Sequence, residues 1–431
     1  MSRSEQPRYY RVVVNGAGGY GIWPIHAQSP AGWYPMPFAG DYNACVGQVR
    51  QLTELRQRRD EVAAASRTIQ ALRSTAARWP TATAVADADA TLTRAELMAR
   101  ADALAALLAE HGVTPGSLVL IPGAPSADVV VAVIAVLIAN ASCVLADPAH
   151  IGDGQVPTGV GFLLAPADDP AAGTVARDAR TVRCATSRQW LVSPVEECVP
   201  MSWHRASAAI AVPTGEGHQR LLVPWRDRQL LRFATSGGLP VGPGDQLRLR
   251  AAPGSPAFAA TLLSALLSGA ELTLQPGQVN GDAQRVLWFT AVTEPPEGPV
   301  RAQCRPPADH HPPQELFGFP ETGMFVATGH FGGETAVLAP LPDSRLYVLD
   351  DDLRPVPPGD SGWLHVGGAG VAEGYLDGPE LSLCRFLPDP LGAAGGLMFR
   401  TGLRCRKQED GAVELLEASP CGAAPGGCAE R

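Results

Sequence analysis

Apolar and polar positions divide the chain into stretches of different period. Residues 9–58 open with a β-branched run, Tyr9-Tyr10-Arg11-Val12-Val13-Val14. A Gly-rich turn and a Trp-Pro segment follow, and near Tyr42 the spacing becomes helical. This predicts a small β-sheet-plus-helix unit. The charged, amphipathic stretch that comes next, through Arg73 to Trp79, predicts a helical linker over 61–79. From there the pattern is α/β. A short strand pair lies in 83–93, and a helix runs from Arg94 to His111, where Gly112 stops it as a left-handed C-terminal residue. Residues 118–123 read as a strand, 127–139 as a helix and 141–148 as another strand, so a layered α/β sheet is expected. The apolar run Val129–Ala139 is too short to cross a bilayer and predicts a buried helix. Residues 152–200 have weak periodicity and no assignment. Alternation resumes over Ser207–Leu274. The Pro-rich stretch 275–315 predicts a shortened, loop-dominated insert, the region from Pro340 is β-rich, and 418–431 predicts a disordered tail. The resulting division is 1–60, 61–79, 80–417 and 418–431.

Composition narrows the function classes. Apolar residues make up 45% and charged residues 18%, an ordinary globular balance. A net charge of −9 with no basic run argues against a nucleic-acid partner. The first ten residues lack the apolar core of a signal peptide. A soluble, cytoplasmic protein with no membrane partner is expected. The cysteines form no CxxC pair or zinc spacing and are expected to be reduced and structural. Among 34 Lys and Arg residues there is a single Lys, Lys407, so any mechanism needing two lysines is excluded.

Gly16, Gly18 and Gly21 match the GxGxxG spacing of a dinucleotide-binding turn. That chemistry needs a helix N-terminus directly afterwards to face the pyrophosphate. Here Trp23-Pro24 and Pro30 follow, and no helix can start among them, so the glycines predict a hairpin turn.

The same stretch resembles the MbtH-like family, small proteins that bind adenylation domains. The resemblance rests on Asn15, Trp23-Pro24, Pro30, Gly32-Trp33, Gly40 and Cys45. It departs at Ala17, Gly19 and Gly21, where Glu, Gln and Ser are usual, and at Leu52, where a late Trp is usual. The resemblance implies a partner groove of Trp23, Pro24, Pro30, Gly32 and Trp33 that receives a small side chain of an adenylation domain. Spacing alone leaves open that both tryptophans only fill the core of the small unit. Leu383 stands where that partner side chain is usually Ala.

From about residue 80 the chain resembles the adenylation domains of nonribosomal peptide synthetases, members of the acyl-adenylate-forming superfamily. The motifs are 92–119, 129–148 (with Asn140 where a Gly is usual) and 362–390. The resemblance implies an α/β fold, with an adenylation N-terminal core and a β-rich final subdomain; the mobile lid subdomain with the catalytic Lys is expected to be absent. Adenylation brings two anions together, so it needs a phosphate cradle, a metal and cationic donors. The phosphate loop falls at 210–225. Thr214, Gly215 and Gly217 remain, Glu216 places an acid inside it, and Arg220 is the nearest substitute for a missing Lys. TSGG at 235–238 lies beyond that loop and predicts an ordinary turn. Pro256 stands where an ammonium-binding Asp is usual. Glu321 falls at the Mg²⁺-associated carboxylate, with Phe317 and Gly318 in the adenine motif, while Phe319 and Pro320 replace the usual Pro and Thr. Leu403 follows Arg400 and Thr401 where a ribose-binding Asp is usual. Lys407 aligns with a position of no catalytic role.

These readings predict no catalytic residue, with Arg220, Glu321, Thr322 and Arg400 as vestiges. They also predict a vestigial ATP site of Thr214, Gly215, Gly217, Phe317, Gly318 and Glu321. The expected function is a non-catalytic scaffold or helper for a synthetase, carrier protein or tailoring enzyme, with no cofactor or metal. The alternative is an amino-acid or aryl-acid adenylating enzyme of weak or partner-dependent activity that uses Mg²⁺–ATP. The contact between the small unit and the core could then be intramolecular or intermolecular. The pair His310-His311 reads as an exposed loop and Asp350–Asp352 as a solvated turn.

Overall fold

The structure, a computed structural model, describes residues 9–57, 66–146, 159–166, 180–183, 189–194, 209–214, 221–235, 241–251, 254–274, 285–293, 300–305, 314–332, 335–376 and 378–417. Gly215, Glu216, Gly217, Arg220, His310, His311 and the 418–431 tail lie outside them.

The N-terminal unit is a three-stranded antiparallel sheet in the order β2-β1-β3, with β1 Tyr10–Asn15, β2 Tyr20–Pro24 and β3 Trp33–Gly40. Gly16 and Gly18 form the β1–β2 hairpin turn, as the Pro-interrupted sequence requires. Helix α1 (Tyr42–Gln57) packs on one sheet face around Val12, Ile22, Cys45 and Val49. The opposite face carries Val13, Trp23 and Trp33.

The expected linker is corrected. Helix α2 (Arg67–Arg78) starts afresh, with Ser66 as its N-cap, and buries Thr68, Ile69 and Leu72 in the main core. Strands β4 (Thr83–Ala86) and β5 (Thr91–Thr93) pair antiparallel before α3 (Arg94–Glu110). Thr93 and Glu96 form a reciprocal capping box at the start of α3. Strand β6 (Leu118–Pro122), α4 (Ala127–Ile138) and β7 (Ser142–Ala146) follow. Every residue of α4 from Ala127 to Leu137 is buried, which accounts for a helix apolar on all sides.

A seven-stranded sheet has the order β12-β11-β7-β6-β8-β10-β9. It adds β8 (Phe162–Pro166), β9 (Arg180–Arg183), β10 (Gln189–Pro194), β11 (Ala209–Thr214) and β12 (Leu221–Arg226). Thus the described residues of the unassigned 152–200 region include three strands. Helix α5 (Asp227–Thr235) leaves β12 directly and includes Thr235, while the rest of the 235–238 turn lies outside the described residues.

A larger sheet begins with β13 (Asp245–Arg250), α6 (Pro256–Ser268) and β14 (Glu271–Thr273), which joins β4. Strands β15 (Arg285–Thr293) and β16 (Val300–Arg305) extend it. The described residues of the 275–315 stretch, expected to be loop-dominated, are thus strand, and the rest of it lies outside the described residues. The sheet continues through β17 (Gln314–Phe319), β18 (Met324–Gly332), β19 (Thr335–Pro340), β20 (Ser344–Leu349) and β21 (Ser361–Gly368). Helix α7 (Pro379–Arg385), β22 (Phe386–Pro388), β23 (Leu397–Lys407) and β24 (Val413–Glu417) complete it. Its path runs β20-β21-β23-β24-β19-β18-β17-β16-β15-β13-β14-β4-β5, with β22 on β23.

Helices α4 and α6 bridge the two large sheets. The first packs on β6, β7, β8 and β4, the second on β13, β14, β18 and β11. A single apolar core runs between them, and this brings the end of β11 to the β17–β18 hairpin. No helix among the described residues is long and apolar enough to cross a membrane.

Candidate functional site

Glu321 sits at the tip of the β17–β18 hairpin, in the short 3₁₀ turn Pro320–Thr322. The hairpin is tight: a Cβ at Gly318 would overlap the carbonyl of Met324. Thr322 is fully buried, its Oγ1 3.0 Å from the Phe319 carbonyl and 3.1 Å from that of Met324. It is committed to the turn. Trp225 Nε1 donates to the Pro320 carbonyl at 2.7 Å, and Ala372 N to that of Glu321 at 2.8 Å.

The Glu321 carboxylate is buried. Its Oε1 accepts from Tyr375 Oη at 3.0 Å and Thr214 Oγ1 at 3.3 Å. Burial pushes its pKa above the usual carboxylate range, against the two hydroxyl donors and the more distant Arg385 charge. Phe317 is also fully buried, packed edge-on against Phe319, and offers no open ring face.

One cation near the turn escaped the sequence reading. Arg232 of α5, 4% exposed, reaches the Thr322, Gly323 and Phe325 carbonyls at 3.2, 3.3 and 3.0 Å. It also donates to Ser344 Oγ at 2.8 Å and pairs with the Asp343 carboxylate. Its donors are spent on the turn and on Asp343. Its local sequence carries only amphipathic helix spacing, so nothing there marks it.

Of the expected vestiges, Thr214, Phe317, Gly318, Glu321 and Thr322 come together. Arg400 does not join them. It lies on β23 opposite His365, its guanidinium 6.0 Å from the Trp363 ring centre, within electrostatic reach of Tyr10 and Tyr42. Burial lowers its pKa. Thr401 Oγ1 donates to the Leu364 carbonyl at 2.8 Å and accepts from Leu403 N at 3.1 Å. Leu403 itself is buried in the core. Pro256 is the first residue of α6, behind the Ser255 cap. Lys407 ends β23.

The tryptophan face of the N-terminal unit meets the large body of the same chain. Trp23 and Trp33 are 4% and 3% exposed, packed with Leu353 and Leu397. Trp33 Nε1 donates to the Gly396 carbonyl at 3.1 Å, Asn15 Nδ2 to that of Gly395 at 3.0 Å, and Gly395 N to that of Ala31 at 2.8 Å. Trp23 Nε1 stays within the unit, on the Gln28 carbonyl at 3.0 Å. Pro24 and Pro30 shape the approach: their carbonyls accept from Ala27 N and Trp33 N. The contact is thus intramolecular. Leu383, expected at the position of the side chain that the tryptophans receive, packs instead in the cluster of Tyr42 and Cys45 on the other side of the unit. Tyr42 Oη donates to Cys384 Sγ at 3.3 Å, and Arg50 pairs with Glu380. Cys384 is disulfide-bonded, against the expectation of reduced thiols, whereas Cys45, Cys143 and Cys405 are free and buried. Asp350, Asp351 and Asp352 form the exposed turn expected of them, with Asp350 Oδ1 accepting from Arg354 N at 2.8 Å.

The family model of the AMP-binding enzymes matches residues 72–155 and 198–376, more than half of the chain. The chain belongs to the AMP-binding enzyme family. The match begins within α2, in keeping with that helix's place in the core. The chain is similar to a probable non-canonical nonribosomal peptide synthetase, CymA, of Salinispora arenicola, 29% identical over 406 residues. That match covers 80% of this chain and 5% of the synthetase, so the chain spans a small fraction of that relative's length. The fold is similar to the N-terminal subdomain of Klebsiella oxytoca NpsA bound to 3-hydroxyanthranilyl-AMSN. The TM-score is 0.59 at 18% identity, covering 82% of this chain and 99% of that one. It is also similar to an artificially fused NpsA–ThdA adenylation–PCP di-domain, with TM-score 0.56, 18% identity and coverage of 82% and 72%. This AMP-binding family member thus has the mixed α/β fold of an adenylation N-terminal subdomain.

Proposed function

We propose that this chain is a non-catalytic pseudo-adenylation protein of a nonribosomal-peptide pathway. It acts by binding a synthetase, carrier protein or tailoring enzyme, with residues 1–60 an MbtH-like domain docked on the chain's own core. Leu403 carries the reading. A buried Leu at the end of the Arg400-Thr401-Gly402 run cannot accept hydrogen bonds from ribose hydroxyls, and a ribose placed there would leave its own donors unpaired. Among the described residues the donor set is a poor fit to Mg²⁺–ATP. The Glu321 carboxyl is buried and occupied by Tyr375 and Thr214, while Arg232 is consumed by the turn. Similarity to a peptide synthetase and to an adenylation–PCP di-domain supports partners of that class.

One observation favours the alternative, an amino-acid or aryl-acid adenylating enzyme with weak or partner-dependent activity. Thr214 and Glu321 converge, as a phosphate loop and a metal carboxylate would. Substrate-dependent ATP–pyrophosphate exchange with a panel of amino and aryl acids separates the two. The scaffold reading expects no exchange above background and, by calorimetry, no Mg²⁺–ATP binding tighter than about millimolar. Robust exchange by the purified chain would overturn it.

A further inference from the structure

The segment 379–388 has two working faces. Outward, Leu383 packs into the apolar cluster of the N-terminal unit, Tyr42 Oη donates to Cys384 Sγ, and Pro388 lies against Gly21, where an added Cβ would come within 2.8 Å of it. Inward, Ser382 Oγ accepts from Tyr375 N at 2.8 Å and donates to the Gly378 carbonyl at 2.7 Å. Phe386, buried, touches both Tyr375 and Phe399, with ring centres 5.2 and 5.3 Å apart. Phe399 touches Phe319 at 5.6 Å, and Phe319 touches Phe317 at 5.4 Å. Tyr375 ends the other branch on Glu321. One short element therefore joins the docking surface of the N-terminal unit to the Glu321 turn by two routes, one aromatic and one through hydrogen bonds.

We infer that Phe386 and Tyr375 are positioning residues through which docking of the N-terminal unit sets the order of the β17–β18 hairpin and its Glu321 carboxyl. Close-packed aromatic interiors do not deform continuously, so a shift of β22 must be taken up by Phe399 and Phe319 or by Tyr375. The backbone of the hairpin is also poised to respond. Met324, fully buried, holds φ of +77°, a left-handed conformation that a bulky side chain keeps only when its surroundings enforce it. Loosening Phe319 or Tyr375 removes part of that enforcement. This inference is independent of whether the chain turns over ATP, and its failure would leave the scaffold reading standing.

The test is hydrogen exchange on the full chain, read by peptide, with a perturbation confined to the N-terminal unit. Trp33→Phe keeps an aromatic ring but shortens it and removes the indole N–H that donates to Gly396. Gly21→Ala drives a methyl group into Pro388 and is the second perturbation if the first is absorbed. Gly47→Ala on α1, with nothing within 4 Å, is the control. The expected result is exchange across 314–327 faster by about five-fold or more, the lower end of ordinary coupling between sites, while 118–122 is unchanged. In a Tyr375→Phe background the increment caused by Trp33→Phe should shrink. Exchange that quickens in 386–399 but not in 314–327, or a 314–327 peptide that stays unaltered in both variants, would overturn the inference. So would fully additive effects of Trp33→Phe and Tyr375→Phe.

Discussion

Gly32 and Gly112 hold the same kind of backbone, with φ of +77° and +87°, but in different surroundings. Nothing lies within 4 Å of a Cβ at Gly112, whereas one at Gly32 would overlap the backbone of Ala394 and Gly395. Gly112→Ala should therefore cost about 1 kcal/mol, from the left-handed conformation alone. Gly32→Ala should cost about 2–3 kcal/mol, because strain and overlap add. Urea denaturation of both variants checks this, and equal costs would mean that the 393–396 loop gives way freely. The Gly32-Trp33 pair is plain in the sequence. Its backbone partner, more than 360 positions away, is not, since no side chain announces a backbone contact.

Helix α2 shows the same limit one level up. Its N-terminus is held by Asp227 of α5. The carboxylate accepts from Ser66 Oγ at 2.7 Å, Thr68 Oγ1 at 2.6 Å, Arg67 N at 2.7 Å and Thr68 N at 3.0 Å. Partial burial pushes the Asp227 pKa up, but these four donors outweigh it and hold the group below the usual carboxylate range. A depressed folded pKa gives stability that is present above the unfolded value near 3.8 and lost as pH falls through the folded one. Asp227→Asn should destabilise the chain by about 2 kcal/mol at pH 7, and the gap to the parent should narrow below about pH 4 in thermal melts. A gap that does not vary with pH would rule the charge out. The charged, amphipathic sequence of α2 reads equally well as a linker. What makes it core is an acid 160 positions downstream. By contrast α3 and α4 were legible throughout, because cap, apolar spacing and stop are all local. Strands β15 and β16 are not legible in the sequence, because prolines flank them and pairing inside a sheet depends on neighbours their own sequence does not name.

For the molecule as a whole, the decisive relation is between the N-terminal unit and the edge of the large sheet. Trp23 and Trp33 are covered by Leu353, Leu397 and the 393–396 loop of the same chain. The intact chain should therefore not capture a separate adenylation domain through that face. In a pull-down, Trp33→Ala should leave any such binding unchanged, and a loss would mean that the unit undocks and serves in trans. The residue pattern of the sequence by itself determined the α/β class, the small unit and the adenylation-like motifs, because each is written in local residue type and spacing. Only the tertiary structure decided that Arg400 stands apart from Glu321, that Arg232 and Tyr375 close the Glu321 turn, and that the tryptophan pair is occupied from within. Those outcomes depend on which distant elements share a core, and burial and hydrogen-bond satisfaction settle that only once the chain has folded.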